Sequence, residues 1–449
     1  MSKIQRVEES CKLTHMKATG IPDRRVFGDL SSLRTDVPLT LVRQEHNARR
    51  AGNHTDMRIG TTGGMFSWAL PKDLPTQPGE KRLAITQPLH DWSYNDFEGT
   101  IGKGYGAGTV KRLEKSPVVI LENKPDKISF TRGDSKDAPT YVMLRTKNGN
   151  WITMLKQKNY PPVVKAYKKE HFKSIPLEKI ADMMDEKAFA TPKLDGAGAL
   201  ASLGKNGIRV FGIRPDKDGN PIEYTDHIGG LRGIKVPEDL QGTTLRGEVI
   251  ATRNGAVLPP QELSGYLNSV LVKAAAKRVN DGMKLRFAPT ATVSDKGDVY
   301  DRKRLDEVIK RLKAPQLLGL PSFNKEDAID LVNRMRNGEY PLTSEGIVIH
   351  NPGQRPIKAK LTDDADVVIR NIFPAVTKDG SKRAGGFEYS LPGKEDIVGR
   401  VGTGFDHALL RDMLDNPNNY VGRTARIKHL GQYDSGAYRA PGFISMKED

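Results

Sequence analysis

The stretch Gln44 to Arg58, QEHNARRAGNHTDMR, brings together His46, His54 and Asp56. Two imidazoles and a carboxylate are a donor set that divalent transition metals accept, with Mn²⁺ or Zn²⁺ suited to two nitrogens and one oxygen and positions left open. His54 and Asp56 alternate, so on a strand both side chains share a face, and His46 is expected to join them from a nearby turn. Arg58 continues the alternation and has the fork geometry that grips phosphate. A solvated charged loop would explain the composition of this stretch. A metal site that handles phosphate explains the order as well, in a chain with only nine histidines.

A second set of candidates begins at Lys193-Leu194-Asp195-Gly196, after the short run AFATP. A lysine attacks phosphorus only after losing its proton, which neighbouring cations, burial or an accepting carboxylate can arrange. Downstream stand Arg246-Gly247-Glu248, then Ser344-Glu345-Gly346-Ile347-Val348, then Ile357-Lys358-Ala359-Lys360. Two carboxylates followed by paired lysines suit a divalent cation and a polyphosphate. Each piece alone is common in surface turns. Their order carries the weight.

The elements that must position these residues divide the chain. Residues 40–157 alternate in short apolar runs (SWAL, RLAIT, VVILE, YVMLRT, WITML) between Gly, Pro, Asn and Asp, and hold all three tryptophans; this pattern predicts a β-barrel or sandwich. Pro161-Pro162 mark a break, and Ile180, Met183 and Met184 at helical spacing predict a connecting helix within 166–185. Residues from about 160 to 361 mix strands (GIRVFGI, TTLRGEVIA) with helices (GYLNSVLVKAAAKRV, RKRLDEVIKRL, KEDAIDLVNRMRNG), an α+β composition. Residues 362–449 return to short strands and suffice for a small closed barrel.

At 449 residues the chain is long for a single core, and its net charge of +16 points to a polyanionic partner. No run of eighteen apolar residues predicts a membrane span, and MSKIQRVEESCK lacks the apolar segment of a secretory signal. One cysteine, Cys11, leaves no intrachain disulfide and fits a reducing compartment. Cys11, His15, His171 and His407 are isolated and are expected to have no chemical role.

With the motifs in order, residues 160–449 resemble the ATP-dependent DNA ligases of the covalent nucleotidyltransferase superfamily. KLDG matches the nucleophile motif, LRGEVI the following glutamate motif, SEGIVIH the EGxVxK motif and IKAKL the paired-lysine motif; VGRVGTGF and YRAPGF resemble the terminal OB-fold. The resemblance implies that Lys193 takes AMP from ATP with Mg²⁺ and that Asp195 positions the ribose or the nucleophile. It further implies that Glu248 contacts the ribose, Glu345 the metal, and Lys358 and Lys360 phosphate. Arg214 is the candidate to contact AMP or the DNA 5′-phosphate, Phe287 to stack on the base, and Arg439 to clamp DNA. Two positions depart from the family pattern: Gly198 where arginine is usual, and His350 where the EGxVxK motif ends in lysine.

Residues 40–157 resemble the 3′-phosphoesterase domain attached to ligases in bacterial end-joining systems, whose pattern is His, then His-Tyr-Asp-x-Arg. The match is His46, then His54-Thr55-Asp56-Met57-Arg58, flanked by SWALPK, KRLAI, His90 with Tyr94, DFEG and YGAGT; two extra residues separate the histidines and Thr55 replaces tyrosine. This implies Mn²⁺ or another divalent cation on His46, His54 and Asp56, with Arg58, Lys72 and Tyr94 about the phosphate and His90 as acid or phosphate donor. Tyr105 to Gly108 are assigned to a tight turn.

The expected architecture is therefore multidomain: an amino-terminal extension (1–39), a β-barrel-like phosphoesterase domain (40–157), a linker (158–190), an α+β nucleotidyltransferase domain (191–361) and an OB-fold β-barrel (362–449). The expected function is end healing and ATP-dependent sealing of nicked or broken double-stranded DNA. Other end-joining or replication proteins are expected as partners, with no membrane, a monomeric state, and a cytoplasmic location near the nucleoid, or host cytoplasm if viral. A DNA-binding scaffold with a degenerate catalytic unit and an RNA-end ligase are the alternatives.

Overall fold

The computed structural model describes residues 29–447 apart from 136–137, 171, 338, 340–343, 378–379 and 434. Cys11, His15 and His171 therefore lie outside the described residues. The chain divides into two compact units, one built from the segments up to residue 171 and Leu194–Pro321, the other from Phe172–Lys193, Ser322–Tyr340 and Ser344–Asp449.

In the first unit, β1 (Pro38–Ala48), β2 (Gly52–Thr61), β3 (Gly64–Leu70), β4 (Lys81–His90), β5 (Gly99–Ile101), β6 (Gly108–Lys124), β7 (Lys127–Arg132), β8 (Thr140–Arg145) and β9 (Trp151–Leu155) form one sheet in the order β1-β2-β3-β4-β9-β8-β7-β6-β5. Pairing of β1 with β6 closes eight of these strands into a barrel, with β5 on the long β6. Closure leaves no free edge among the eight, and alternate residues fill the interior. Leu41, Met57, Ile59, Trp68, Ile120, Phe130 and Trp151 make that core, and Leu33 and Val37, ahead of β1, pack into it.

The same unit contains a second antiparallel sheet of six strands in the order Pro221–Glu223, Gly207–Pro215, Ala197–Gly204, Thr244–Arg253, Met283–Ser294, Gly297–Val299, with Ala256–Val257 paired beside Thr244–Arg253. The helices Pro260–Leu267, Leu271–Asp281 and Arg302–Leu312 accompany it, and Tyr266, Ala274, Leu305 and Val308 join its core. The run GYLNSVLVKAAAKRV is thus two helices with a break at Asn268–Val270.

In the second unit, Lys173–Ile175, Ile357–Lys360, Ser344–His350 and Phe189–Leu194 form a four-stranded sheet, packed with the helix Lys325–Arg336 through Ala328, Leu331 and Val332. The helix expected within 166–185 is present as the short helix Ile180–Met183, with Ile180 and Met184 in the core of this unit. Before it, Lys173–Ile175 pairs in parallel with Ile357–Ala359, and the 3₁₀ helix Leu177–Lys179 leads from Pro176 into Ile180–Met183. Pro176 fixes φ and disfavours helix for the residue before it, so helical structure begins only after it. The terminal sheet runs Gly399–Val401, Lys382–Ser390, Asp363–Val376, Thr424–His429, Gly442–Met446. The Phe443 N–H donates to the Thr403 carbonyl at 2.8 Å, drawing the two ends of that order together.

Candidate functional site

The metal-donor cluster is built on one hairpin. β1 and β2 pair antiparallel with His46 opposite His54 and Gln44 opposite Asp56, and the connecting turn is Arg49–Ala51. The hairpin thus leaves the histidines facing each other despite their wider spacing in sequence. His46 comes from strand β1, not from a turn as its charged neighbours suggest. On β2, Met57 and Ile59 point into the apolar core, so His54, Asp56 and Arg58 take the opposite face. Thr55, where tyrosine is usual, shares the parity of Met57 and lies on the face away from the donors.

Donor atoms of His46, His54 and Asp56 lie within 4.8 Å of one another. His46 Nδ1 is 3.3 Å from Asp56 Oδ2, and His54 Nε2 is 3.5 Å from Asp56 Oδ1. The remaining ring nitrogens face backbone carbonyls: His46 Nε2 to Gly106 at 2.9 Å, His54 Nδ1 to Gly52 at 2.9 Å. With a proton on each carbonyl-facing nitrogen, giving up the proton directed at Asp56 would bare a lone pair on the other nitrogen of each ring, on the side of Asp56. This is the orientation in which imidazoles hold a metal. The residues fit a divalent cation.

Beside the donors, Arg58 Nη2 donates to Asp56 at 3.1 Å, Arg58 Nη1 donates to the Gln44 side chain, and the guanidinium lies 5.7 Å from the Tyr94 ring. Gln44 in turn donates to the carbonyls of Tyr94 and Phe97, both at 2.8 Å. Arg58 is almost wholly buried, and its Nε has no hydrogen-bond partner among the described residues. An orphaned buried donor of positive charge is the feature an anion would satisfy. His90, at the end of β4, stands edge-on to Tyr94 at 5.3 Å. Lys72 lies exposed two residues beyond the end of β3, and no contact ties it to the cluster.

Charges in this cluster move together. Burial works to raise Asp56, but hydrogen bonds from His46 and His54 and the Arg58 charge hold it far below the carboxylate range. The Asp56 hydrogen bond is the main cause that raises His54. Burial, with the Arg58 charge, lowers His90 to about 4. Its Nδ1 faces the Pro88 carbonyl at 2.9 Å, so the neutral ring carries its proton there and presents a bare Nε2. His90 thus becomes a donor only when an arriving anion lifts its pKa. The contribution of neutral His90 to stability is complete above pH 6.5 and is lost as the pH falls from 6.5 towards 4. An NMR titration is expected to find His90 half-protonated well below 6.5 and shifted upward by inorganic phosphate; a midpoint at 6.5 without phosphate would contradict the buried pocket.

Two participants carry little signal in the sequence. Gln44 sits two residues before His46, the same alternation that singles out Arg58, but glutamine is not a metal-ligand type. Gly106 lies in the turn assigned to structure, yet its carbonyl orients His46. Gly108 is required there because a Cβ would meet the Asn47 carbonyl oxygen at 2.1 Å.

The lysine motif is distributed over two units. In the second unit, Lys193 Nζ donates to Glu345 Oε2 at 2.5 Å, and Lys360 Nζ is 3.1 Å from the same oxygen. Burial would raise Glu345, but the charges and hydrogen bonds of Lys193 and Lys360 outweigh it and keep the carboxylate ionised. Lys358, half-buried, is on the same strand as Lys360. His350, where the EGxVxK motif ends in lysine, is buried, stacks on the half-buried Phe189 with ring centroids 4.6 Å apart and lies 3.3 Å from Thr191 Oγ1. Arg439, half-buried, donates to the Leu430 carbonyl at 3.3 Å within its hairpin.

In the first unit, Gly196 N–H donates to Glu248 Oε2 at 3.1 Å, which ties the half-buried Asp195 turn to the glutamate motif. A Cβ on Gly196 would lie 2.6 Å from the Val249 carbonyl oxygen. Gly196→Ala is therefore expected to cost about 2 kcal/mol through overpacking, read as a lowered denaturation midpoint; an unchanged midpoint would refute the close approach. Gly198 pairs with Glu248 across the sheet, so the arginine usual there would compete for this carboxylate. Arg214 is exposed at the end of its strand. Phe287 corrects an expectation: its ring is fully buried in the core beside Leu285 and Leu317 and is not presented for base stacking. Alternation on Met283–Ser294 turns it inward.

Comparison with known proteins gives these clusters a context. Residues 44–134 match the family model described as the DNA Ligase D 3′-phosphoesterase domain. The multifunctional non-homologous end joining protein LigD of Mycolicibacterium smegmatis is 27% identical over 412 residues, 83% of this chain and 49% of that protein. LigD of Mycobacterium bovis is 47% identical over 118 residues, 25% of this chain and 15% of that protein. The chain thus spans about half the length, or less, of these curated relatives. A solved Lig E DNA ligase superposes with a TM-score of 0.43 at 16% identity, covering 62% of this chain and 100% of that one. Residues 44–134, with the His46, His54 and Asp56 cluster among them, thus match the DNA ligase D 3′-phosphoesterase domain, in a chain that is similar to LigD over 83% of its length.

Proposed function

We propose that this protein is an ATP-dependent DNA ligase of the end-joining type that heals a 3′ end and then seals the break. The observation that carries the proposal is the match of residues 44–134 to the ligase D phosphoesterase domain, with three metal donors and a buried arginine converging on one face. The proposed boundaries are those of the sequence: phosphoesterase domain to 157, nucleotidyltransferase domain 191–361, OB-fold 362–449.

His46, His54 and Asp56 hold a divalent cation, which polarises a phosphoryl group when bound. Arg58, oriented by Gln44, grips the non-bridging oxygens, and Tyr94 and His90 flank the same group. The product is a 3′-hydroxyl. For sealing, the Lys193 amine, once neutral, attacks the α-phosphorus of ATP; the N–P bond forms and pyrophosphate leaves. A DNA 5′-phosphate oxygen then displaces Lys193, and the 3′-hydroxyl displaces AMP as the phosphodiester forms. Glu345 accepts hydrogen bonds from Lys193 and Lys360, which supports its role as the group that organises the lysines and a Mg²⁺ ion. Asp195, Glu248 and Arg214 are proposed to contact the nucleotide, Lys358 and Lys360 phosphate, and Arg439 DNA.

The test is a nick with a 3′-hydroxyl and a 5′-phosphate, offered in DNA and in RNA duplexes. Sealing of DNA without sequence preference is expected, because the +16 charge supplies backbone contacts and no recognition element is evident. Binding should weaken at least about tenfold between 50 and 200 mM salt. Sealing confined to RNA would replace the DNA assignment.

A further inference from the structure

The long strand β6 changes character along its length. Lys111 and Leu113 are exposed, whereas every residue from Val118 to Glu122 is buried. Val118 and Ile120 belong to the barrel core, so Val119 and Leu121 point outward. They are buried because Val272 and Ala275 of the helix Leu271–Asp281 cover them, with Leu271 alongside and Val279 of the same helix against the barrel core. A half-solvated strand alternates; a strand covered on both faces reads as a continuous apolar run, and VVIL is that run.

A polar latch adjoins this contact. Asp36, whose N–H donates to the Ile120 carbonyl of the barrel, accepts a hydrogen bond from the Gly230 N–H at 3.1 Å. Arg278, on the covering helix, donates to the Asp36 carbonyl at 3.3 Å and the His227 carbonyl at 2.6 Å. Gly229 and Gly230 both have positive φ, and a Cβ on Gly229 would lie 2.6 Å from Arg278 Nη1 and 3.1 Å from Asp36 Cγ. The glycine pair is thus shaped to receive an aspartate and an arginine. Burial lifts Asp36 to about 6 against the opposing Arg278 charge, as a carboxylate enclosed between packed segments should be. Beyond the barrel, Tyr160, Val164 and Tyr167 pack with Leu200 and Phe211, and Tyr167 O–H donates to Asp298 at 2.9 Å, so the linker is itself fastened to the second sheet.

We propose that the phosphoesterase barrel is permanently docked on the domain that carries Glu248, through the Val119–Leu121 face and the Asp36 latch, instead of moving freely on its linker. The dock uses residues that belong neither to the metal donors nor to the lysine motifs, so it does not depend on either catalytic assignment. Its consequence is that the metal donors and Glu248 are carried on one body, and the barrel does not travel on its linker between steps.

Thiol reactivity in the full chain tests this. With Cys11→Ser as background, Leu121→Cys should react with a maleimide at least about 100-fold more slowly than Leu113→Cys on the same strand, because only transient opening exposes it. Adding Ala275→Arg should bring the Leu121→Cys rate to within a few-fold of that control, while formation of the AMP adduct and 3′ trimming report that both domains remain folded. Equal rates for Leu121→Cys and Leu113→Cys without Ala275→Arg would overturn the dock. So would an unchanged slow rate in the folded Ala275→Arg chain. If Ala275→Arg does not fold, the first comparison alone decides.

Discussion

Replacing Lys193 with alanine is expected to abolish the covalent AMP adduct formed with ATP and Mg²⁺, and to reduce nick sealing by at least about 10⁴-fold, the scale of losing an essential nucleophile. Lys193→Arg separates covalent from structural roles. A guanidinium retains charge for Glu345, the partner of Lys193 at 2.5 Å, but is not a nucleophile. Arginine should therefore preserve folding and restore neither adduct nor sealing. Labelled ATP and mapping of the labelled peptide make the measurement, after stripping any resident AMP with pyrophosphate. An adduct of ordinary yield in Lys193→Ala would move the nucleophile elsewhere. Absence of any adduct in the unmodified chain would favour a DNA-binding scaffold.

His54→Ala is expected to lower metal-dependent removal of a 3′-phosphate or terminal ribonucleotide by at least about 100-fold, while sealing of a clean nick stays within about twofold. The substitution removes one of three donors and strips Asp56 of a partner at 3.5 Å, yet leaves the barrel core untouched, since His54 faces away from Met57 and Ile59. The two reactions respond differently because the donors sit on one hairpin and Lys193 belongs to another compact unit. Loss of both reactions would refute the division of labour. Loss of neither would make the histidine cluster structural.

Much of this was legible because the informative residues lie on strands. Alternation alone puts His54, Asp56 and Arg58 on one face, and the ordered motifs single out Lys193 with Glu345 and Lys360. What escaped was what alternation cannot encode. His46 looked like a turn residue because Arg49 and Arg50 follow it, but the pairing with β6 extends β1 to Ala48. Phe287 has the type of a stacking residue, yet its parity on the strand sends it into the core. The helix expected before residue 185 forms over Ile180–Met183, but the parallel pairing of Lys173–Ile175 with Ile357–Ala359, distant in sequence, is not encoded in local spacing. Gln44 and Gly106 act through a side-chain amide and a backbone carbonyl, and no residue-type rule flags either.

The hairpin origin of the donors bears on how the centre assembles. His46, His54 and Asp56 are neighbours across a short turn, whereas their orienting partners arrive from far along the chain: the carbonyls of Tyr94 and Phe97 that hold Gln44, and that of Gly106 that holds His46. Ligand capture is therefore a local event with a small loop-closure cost, while the phosphate pocket needs long-range closure of the whole barrel. The donor triad is thus encoded in one short segment of chain, whereas the pocket around it is a property of the closed barrel.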